Sequence, residues 1–288
     1  MIPEIKLKSG VKIPQIGLGT WQLAGQTCGN AVKSALKLGY RHIDTAEIYG
    51  NQREIGKAIK GFPRKELFIT SKVWHGNLRY NDVLKAYENT ISELQTDYLD
   101  LYLIHWPNRR IPISETFRAL KKLYDEKKVR AVGISNFTIA HIEEALKHAE
   151  IPLVVNQVEF HPFLYQKELL DYCTKKGIKV TAYSPIARGA VFRNDTIIRI
   201  AEKYKKTAAQ VSLRWLLEQD MVVIPKASTE QHLKENMDVF DFKLNDEDRK
   251  KLGNFDQKRF VDPISISEFD TSIIDKVNST FNHILRSK

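Results

Sequence analysis

Short apolar runs alternate with longer amphipathic stretches from one end of the chain to the other, and no other feature of the sequence constrains the fold as tightly. The runs are Ile16–Thr20, His42–Asp44, Leu67–Lys72, Leu99–His105, Val129–Ile134, Val154–Gln157, Lys179–Tyr183 and Met221–Ile224. Between them, stretches such as Asn81–Gln95 and Thr138–Ala149 carry a helical period, and each opens on a polar or turn-forming residue able to cap it. Eight strand-then-helix units predict parallel strands joined by helical crossovers. Closing them into an α/β (β/α)8 TIM barrel is the simplest way to leave no sheet edge unpaired. The 288 residues accommodate a single such domain spanning 1–288.

Two segments fall outside the repeat. Ile5–Leu7 and Val11–Ile13 flank the turn Lys8-Ser9-Gly10 and read as an N-terminal β-hairpin placed to plug the barrel bottom. After Leu252 a Pro-containing loop leads to a C-terminal extension, Thr271–Leu285. There Ile274, Val277, Phe281, Ile284 and Leu285 form one apolar helical stripe. The stripe is expected to dock on its own barrel and leave a monomer, with a dimer contact as the alternative.

Composition removes several functional classes. Hydrophobic residues at 42% and charged residues at 28% fit an ordinary globular protein rather than a disordered one. No segment approaches the roughly 18 uninterrupted apolar residues of a membrane span, and MIPEIKLKSG lacks the apolar core of a signal peptide, so a cytoplasmic protein with no membrane partner is expected. Cys28 and Cys173 lie far apart without a CxxC pattern or a His-rich neighbourhood, which suggests neither a disulfide framework nor a zinc site but two buried small hydrophobes. A net charge of +10 raises the question of nucleic acid. The basic residues are scattered through helical segments such as Lys121–Arg130 and Lys203–Lys206 with acids interspersed, and there is no aromatic stacking platform or DNA-reading motif. No nucleic-acid partner is expected. An anionic small ligand is a better use of the excess charge, though solubility alone would also account for it.

In a barrel of this kind the chemistry sits at the C-terminal ends of the strands. Asp44 ends the second apolar run, Tyr49 follows in its loop, Lys72 ends the third and His105 the fourth. Singly, each has a structural explanation: a helix cap, a packed ring with a wet hydroxyl, a snorkelling amine, a hydrogen-bonded core imidazole. Neighbouring strands would bring all of them within reach of one pocket.

At these residues the chain resembles the aldo-keto reductase family, over essentially its whole length. GYRHIDTAEIYGNQREIG (Gly39–Gly56) matches the family's first signature with Gln52 where Glu is more usual. GISNF (Gly133–Phe137) is similar to the core of the second, and IPKASTEQHLKENMDV (Ile224–Val239) matches most of the third. The resemblance implies hydride transfer from a reduced nicotinamide to the carbonyl carbon of an aldehyde or ketone, with Asp44, Tyr49, Lys72 and His105 as the catalytic group. Tyr49 would be the acid. A phenol with a pKa near ~10 is a reluctant donor, so the Lys72 ammonium, oriented by Asp44, would have to outweigh the burial that opposes ionisation. His105, neutral, would hydrogen-bond the carbonyl oxygen, and no metal is needed. Trp21, Trp74 and Trp106 would wall the substrate with His105, whereas Trp215, within the helical run Ala208–Glu218, reads as core.

For the cofactor, the resemblance assigns Ser135, Asn136 and Gln157 to the nicotinamide carboxamide, with Tyr183 stacking on the ring. Thr20, Trp21 and Asp44 lie nearby, and Ser184, Pro185, Ile186 and Arg188 would follow the pyrophosphate. No GxGxxG follows a strand, which argues against a Rossmann site. Lys226 follows the last strand, and Ser228–Gln231 has the S-x-x-Q form of a capping box opening a helix, a plausible anion site. Where the family usually places Ser or Thr and then Arg around the 2′-phosphate, this chain has Ala227 and His232, and a neutral imidazole cannot replace a guanidinium fork. Lys226 and Ser228 remain, so NADPH is favoured with real use of NADH, and Glu235 and Asn236 keep their positions near the adenine. Two competing readings are a cofactor-sensing regulatory barrel and a lyase or isomerase forming a Schiff base on Lys72.

Overall fold

The computed structural model describes residues 2–261. The apolar stripe expected at Thr271–Leu285 lies outside the described residues. The chain opens with a hairpin, β1 (Glu4–Lys6) and β2 (Lys12–Pro14), paired antiparallel with Ile5 opposite Ile13. Ile5, Leu7 and Ile13 form one apolar cluster with Phe68, Leu101, Leu103, Ala131, Val154, Val155 and Val222. Apart from Ala131, which immediately precedes β7, these are residues of the barrel strands, so the hairpin fills the barrel's lower end as the sequence suggests.

Strands and helices then alternate. They run β3 (Gly17–Gly19), α1 (Gly25–Leu38), β4 (His42–Asp44), α2 (Gln52–Ile59), β5 (Phe68–Val73), α3 (Tyr80–Leu94), β6 (Leu101–Ile104), α4 (Ile113–Asp125) and β7 (Val132–Ser135). The second half comprises α5 (Ile139–His148), β8 (Leu153–Glu159), α6 (Lys167–Lys176), β9 (Lys179–Tyr183), α7 (Asp195–Tyr204), α8 (Ala208–Leu217), β10 (Val222–Val223), α9 (Glu230–Met237) and α10 (Asp246–Leu252). Strands β3 to β10 make one eight-stranded parallel sheet in sequence order. Two parallel bridges, Ile16 to Val223 and Gly19 to Lys226, join its first and last members, so the sheet closes. A second, larger cluster packs the helices against the outside of the strands, and Trp215 lies buried within it beside Phe160 and Tyr165. Cys28 and Cys173 are both buried and free, and burial pushes their thiols up to about 12 and about 11.

Several helices open on the polar caps the sequence suggests. Thr138, Asn194, Thr207, Thr229 and Asn245 each accept a backbone N–H with their side chains, and Thr207 with Gln210 forms a reciprocal capping box. In contrast α3 starts at Tyr80 after Arg79 with no side-chain cap, because the helix begins a residue before Asn81. Among the described residues no helix is long and apolar enough to cross a membrane. Many of the basic residues sit opposite acids, with Lys121 paired to Asp125, Lys122 to Glu126, Lys128 to Glu88, and Lys206 to both Asp238 and Asp241. That pairing is the pattern of a solvated face rather than of a basic stripe.

Candidate active site

Parallel register places the ends of adjacent strands side by side. Asp44 is the last residue of β4 and pairs with Thr70 of β5, and Lys72, two residues on, pairs with Leu103 of β6, which His105 follows. Tyr49 ends a 3-10 turn, Glu47–Tyr49, that carries the chain away from β4. Lys72 Nζ donates to Asp44 Oδ1 at 2.5 Å and to the Thr45 carbonyl at 2.8 Å, and reaches Tyr49 Oη at 3.4 Å. Gln157 Nε2 donates to the other Asp44 oxygen at 2.7 Å. Every proton of the ammonium therefore has an acceptor, and both carboxylate oxygens have donors. Lys72 is fully buried, behind the residues that line the cavity, and is committed to Asp44, Thr45 and Tyr49 rather than presented to a carbonyl carbon. This argues against a Schiff base.

Burial alone pushes the Asp44 carboxyl up and the Lys72 ammonium down, while each charge opposes the change in the other. At a contact of 2.5 Å with further donors and acceptors on both groups, the pair is ionised. Tyr49 departs from the expectation that the ammonium outweighs burial. Its phenol is pushed well above its ordinary value of 10.0, first by burial and then by the charges of Asp44 and Tyr183. The reason is geometric: Nζ lies closer to Asp44 than to Tyr49, so the carboxylate cancels much of the field that would favour a phenolate. Tyr49 is thus a loaded acid that yields its proton only to a strong base. His105 lies well below its usual 6.5, through burial first and then the charges of Lys72 and His75, and is a neutral imidazole.

Asp44, Tyr49 and His105 border a cavity of about 550 Å³ at the C-terminal end of the barrel. Tyr49 meets the His105 ring edge-on at 5.7 Å, Trp74 meets the same ring at 5.3 Å, and Trp21 packs on Tyr49 at 4.7 Å. Trp106 completes an aromatic slot at the same end. Of the expected cofactor residues, Thr20, Trp21, Asp44, Asn136, Gln157, Tyr183, Ser184, Pro185, Ile186, Arg188, Lys226 and His232 line the cavity. Tyr183 Oη donates to Asn136 Oδ1 at 2.8 Å, and Asn136 Nδ2 donates to the His105 carbonyl at 3.0 Å, which fixes the amide between the two. Ser184, Ala187 and Arg188 all adopt positive φ, so the loop after β9 holds a backbone course that non-glycine residues rarely take.

Other expected residues stand back from the cavity. Ser135 is buried and donates its hydroxyl to the Gln157 carbonyl at 2.8 Å while accepting from Asn136 Nδ2 at 3.1 Å, so it orients its neighbour rather than facing the cavity. Ala227, Ser228, Glu235 and Asn236 are outside the lining, and Glu235 accepts from Gln231. The capping box at Ser228–Gln231 does not form. Thr229 is the N-cap of α9, accepting from the His232 amide at 3.3 Å, because its extended backbone places its own hydroxyl over the first turn. Sequence reading missed Gly19, Gln22, Ile48, Gly189, Ile224 and Val261, which also line the cavity. Ile48 and Gly19 each adjoin a flagged residue; Val261 lies in the loop between α10 and the predicted Thr271–Leu285 stripe, where no period marks a single residue.

Comparison with known proteins agrees with this geometry. The sequence model of the Aldo/keto reductase family matches residues 15–257. A glyoxal reductase of Bacillus subtilis (strain 168) is 49% identical over 262 residues, covering 90% of this chain and 95% of the relative. An aldose reductase structure from Schistosoma japonicum superposes with a TM-score of 0.88 at 36% identity, covering 93% of this chain and 97% of that one. A crystal structure of an aldo-keto reductase complexed with NADPH also superposes at 0.88, with 33% identity and coverage of 94% and 93%. With its closed eight-stranded barrel and its cluster of Asp, Tyr, Lys and His at the strand ends, the chain belongs to the aldo/keto reductase family.

Proposed function

We propose that the chain reduces small aldehydes and ketones to alcohols with NADPH, which supplies the hydride, and that Tyr49 supplies the proton. The observation that carries this reading is the reach of Lys72, 2.5 Å from Asp44 and 3.4 Å from Tyr49, directly behind a cavity bordered by Tyr49 and His105. Burial keeps the phenol protonated, so the donor is loaded before substrate arrives. A carbonyl oxygen seated against Tyr49 Oη and the His105 ring becomes basic as its carbon is reduced, and Tyr49 then gives up its proton while neutral His105 donates a hydrogen bond. Lys72 steadies the phenolate left behind. Asp44 holds Lys72 in place, and Gln157 holds Asp44.

The donor set suits a dinucleotide. Amide groups of Asn136 and Gln157 and the Tyr183 ring border the reacting end, the loop Ser184–Arg188 continues along the wall, and Lys226 and His232 put basic groups at the lining formed with α9. The NADPH-bound neighbour supports the choice of cofactor, and likeness to a glyoxal reductase supports small dicarbonyls among the substrates. Ala227 and His232 offer a 2′-phosphate less than a hydroxyl and a guanidinium would, so NADH is expected to work as well. We further read the enzyme as a cytosolic monomer that binds neither nucleic acid nor membrane. Many of its surface charges are paired, and among the described residues Phe192 alone is a large hydrophobic side chain with high exposure. Light scattering at twice the 33.2 kDa chain mass would replace the monomer with a dimer.

The decisive experiment is Tyr49→Phe. Turnover of an aldehyde is expected to fall by about 10²-fold to 10⁴-fold, while NADPH binding, followed by titration of protein fluorescence, stays within about twofold because the ring remains in place. Reduction at the wild-type rate would remove Tyr49 as the acid.

A further inference from the structure

We propose that Glu47 is a positioning residue that fastens the turn carrying Tyr49 to the chain leaving β5, and so sets the spacing between the proton donor and the Trp74 wall of the substrate slot. The inference rests on the reductase reading above. Glu47 opens the 3-10 turn that Tyr49 closes. Its carboxylate crosses to the next strand's exit, where Oε2 accepts the Trp74 amide at 2.8 Å and Oε1 accepts Asn77 Nδ2 at 2.5 Å. Trp74 and Asn77 are themselves joined, since the Asn77 amide donates to the Trp74 carbonyl at 2.9 Å. A single carboxylate thus grips both ends of one short turn.

The position matters because this link lies beyond the last residues that pair β4 with β5. Strand pairing between β4 and β5 runs from His42–Phe68 to Asp44–Thr70 and ends with the Thr45 amide donating to the Thr70 carbonyl at 2.9 Å, and Lys72 reaches Tyr49 from behind the cavity lining. Above that level Tyr49 and Trp74 both stand edge-on to His105, at 5.7 and 5.3 Å. The Glu47 link joins, from the side, the two stretches of backbone that carry these rings. The carboxylate is half-buried, and burial pushes its carboxyl up, a cost offset by the Trp74 and Asn77 donors. Glu93 adds a like charge in its surroundings, and the Tyr102 phenol feels the Glu47 charge in turn. A position that only needed filling would be better served by an apolar side chain.

The test compares Glu47→Ala and Glu47→Gln with the wild type on glyoxal and on benzaldehyde. For Glu47→Ala, KM for benzaldehyde is expected to rise about tenfold with kcat within about threefold, the loss of ground-state and transition-state binding together that a loosened aromatic wall produces. KM for glyoxal, which is too small to span the slot, should change by about twofold or less. Glu47→Gln keeps one good acceptor and should fall between. Unchanged KM for both aldehydes, or an equal fall in kcat on both, overturns the proposal. Asn77→Ala removes one anchor from the opposite side and is expected to give the same selective rise, so it carries the test if Glu47→Ala does not fold. Acrylamide quenching of Trp74, taken as the difference from a Trp74→Phe partner of each protein, should increase in Glu47→Ala. This readout needs no turnover: a wild type inactive on both aldehydes would refute the reductase reading, while unchanged quenching would refute the Glu47 link.

Discussion

Tyr49 and His105 sit a few ångströms apart in one buried setting, and that setting moves their acidities in opposite directions. Burial disfavours charge on either group, which lifts the phenol well above 10.0 and drops the imidazole well below 6.5. Acid raised and base lowered both mean a neutral group, so neither changes its protonation between those two ordinary values. The expected consequence is a plateau: kcat/KM for an aldehyde shows no inflection near 6.5 from His105 and none near 10.0 from Tyr49. A step near 6.5 that disappears in His105→Gln would mean that the imidazole charges within the working range. Residues like these were legible in the sequence because an ionisable side chain at a strand exit is conspicuous. Ile48, Ile224 and Val261 line the same cavity and were not, since an apolar side chain looks alike whether it faces a ligand or a core. The balance of forces on Tyr49 was not legible either, because it depends on how far Nζ sits from two oxygens.

Elements were read more reliably than their ends. All eight barrel strands fall within the predicted runs or overlap them, as the apolar period requires, whereas the start of α9 moved from Ser228 to Thr229 because two adjacent hydroxyl residues compete for one cap. Gln52 illustrates what joins the elements. From the first turn of α2 its Oε1 accepts the Ser71 hydroxyl of β5 at 2.7 Å, and its Nε2 donates to Glu93 of α3 at 3.1 Å. The amide that departs from the usual family residue is thereby explained, since a carboxylate at 52 would face the Glu93 carboxylate across a partly buried contact. Gln52→Glu is expected to destabilise the protein by about 1–3 kcal/mol, read as a fall in Tm. Adding Glu93→Gln should return most of that loss by restoring a donor. A double variant no more stable than Gln52→Glu would show that the contact between α2 and α3 is not what selects the amide.

Closure of the barrel depends on a narrow seam. β3 and β10 are three and two residues long, and their join rests on the Gly19 amide donating to the Pro225 carbonyl at 3.1 Å and the Val223 amide to the Gln15 carbonyl at 2.9 Å. Gly19 is needed there because a Cβ at its position would lie 2.4 Å from the Ile224 carbonyl oxygen, a backbone atom that cannot move without opening the seam. Gly19, Ile224 and Lys226 also border the cavity, so the whole-molecule constraint and the ligand site share atoms. Gly133 offers a control within the sheet: a Cβ there would meet the Val155 carbonyl oxygen at 2.7 Å and Leu103 Cδ2 at 2.6 Å, away from the cavity lining. Both Gly19→Ala and Gly133→Ala are expected to cost about 1–3 kcal/mol through overpacking. They should differ in function. At a temperature where both variants are folded, Gly19→Ala should weaken NADPH binding, because Lys226 moves with the opened seam, and Gly133→Ala should leave it near the wild type. Equal NADPH affinities in the two variants would mean that the seam closes the barrel without shaping the site.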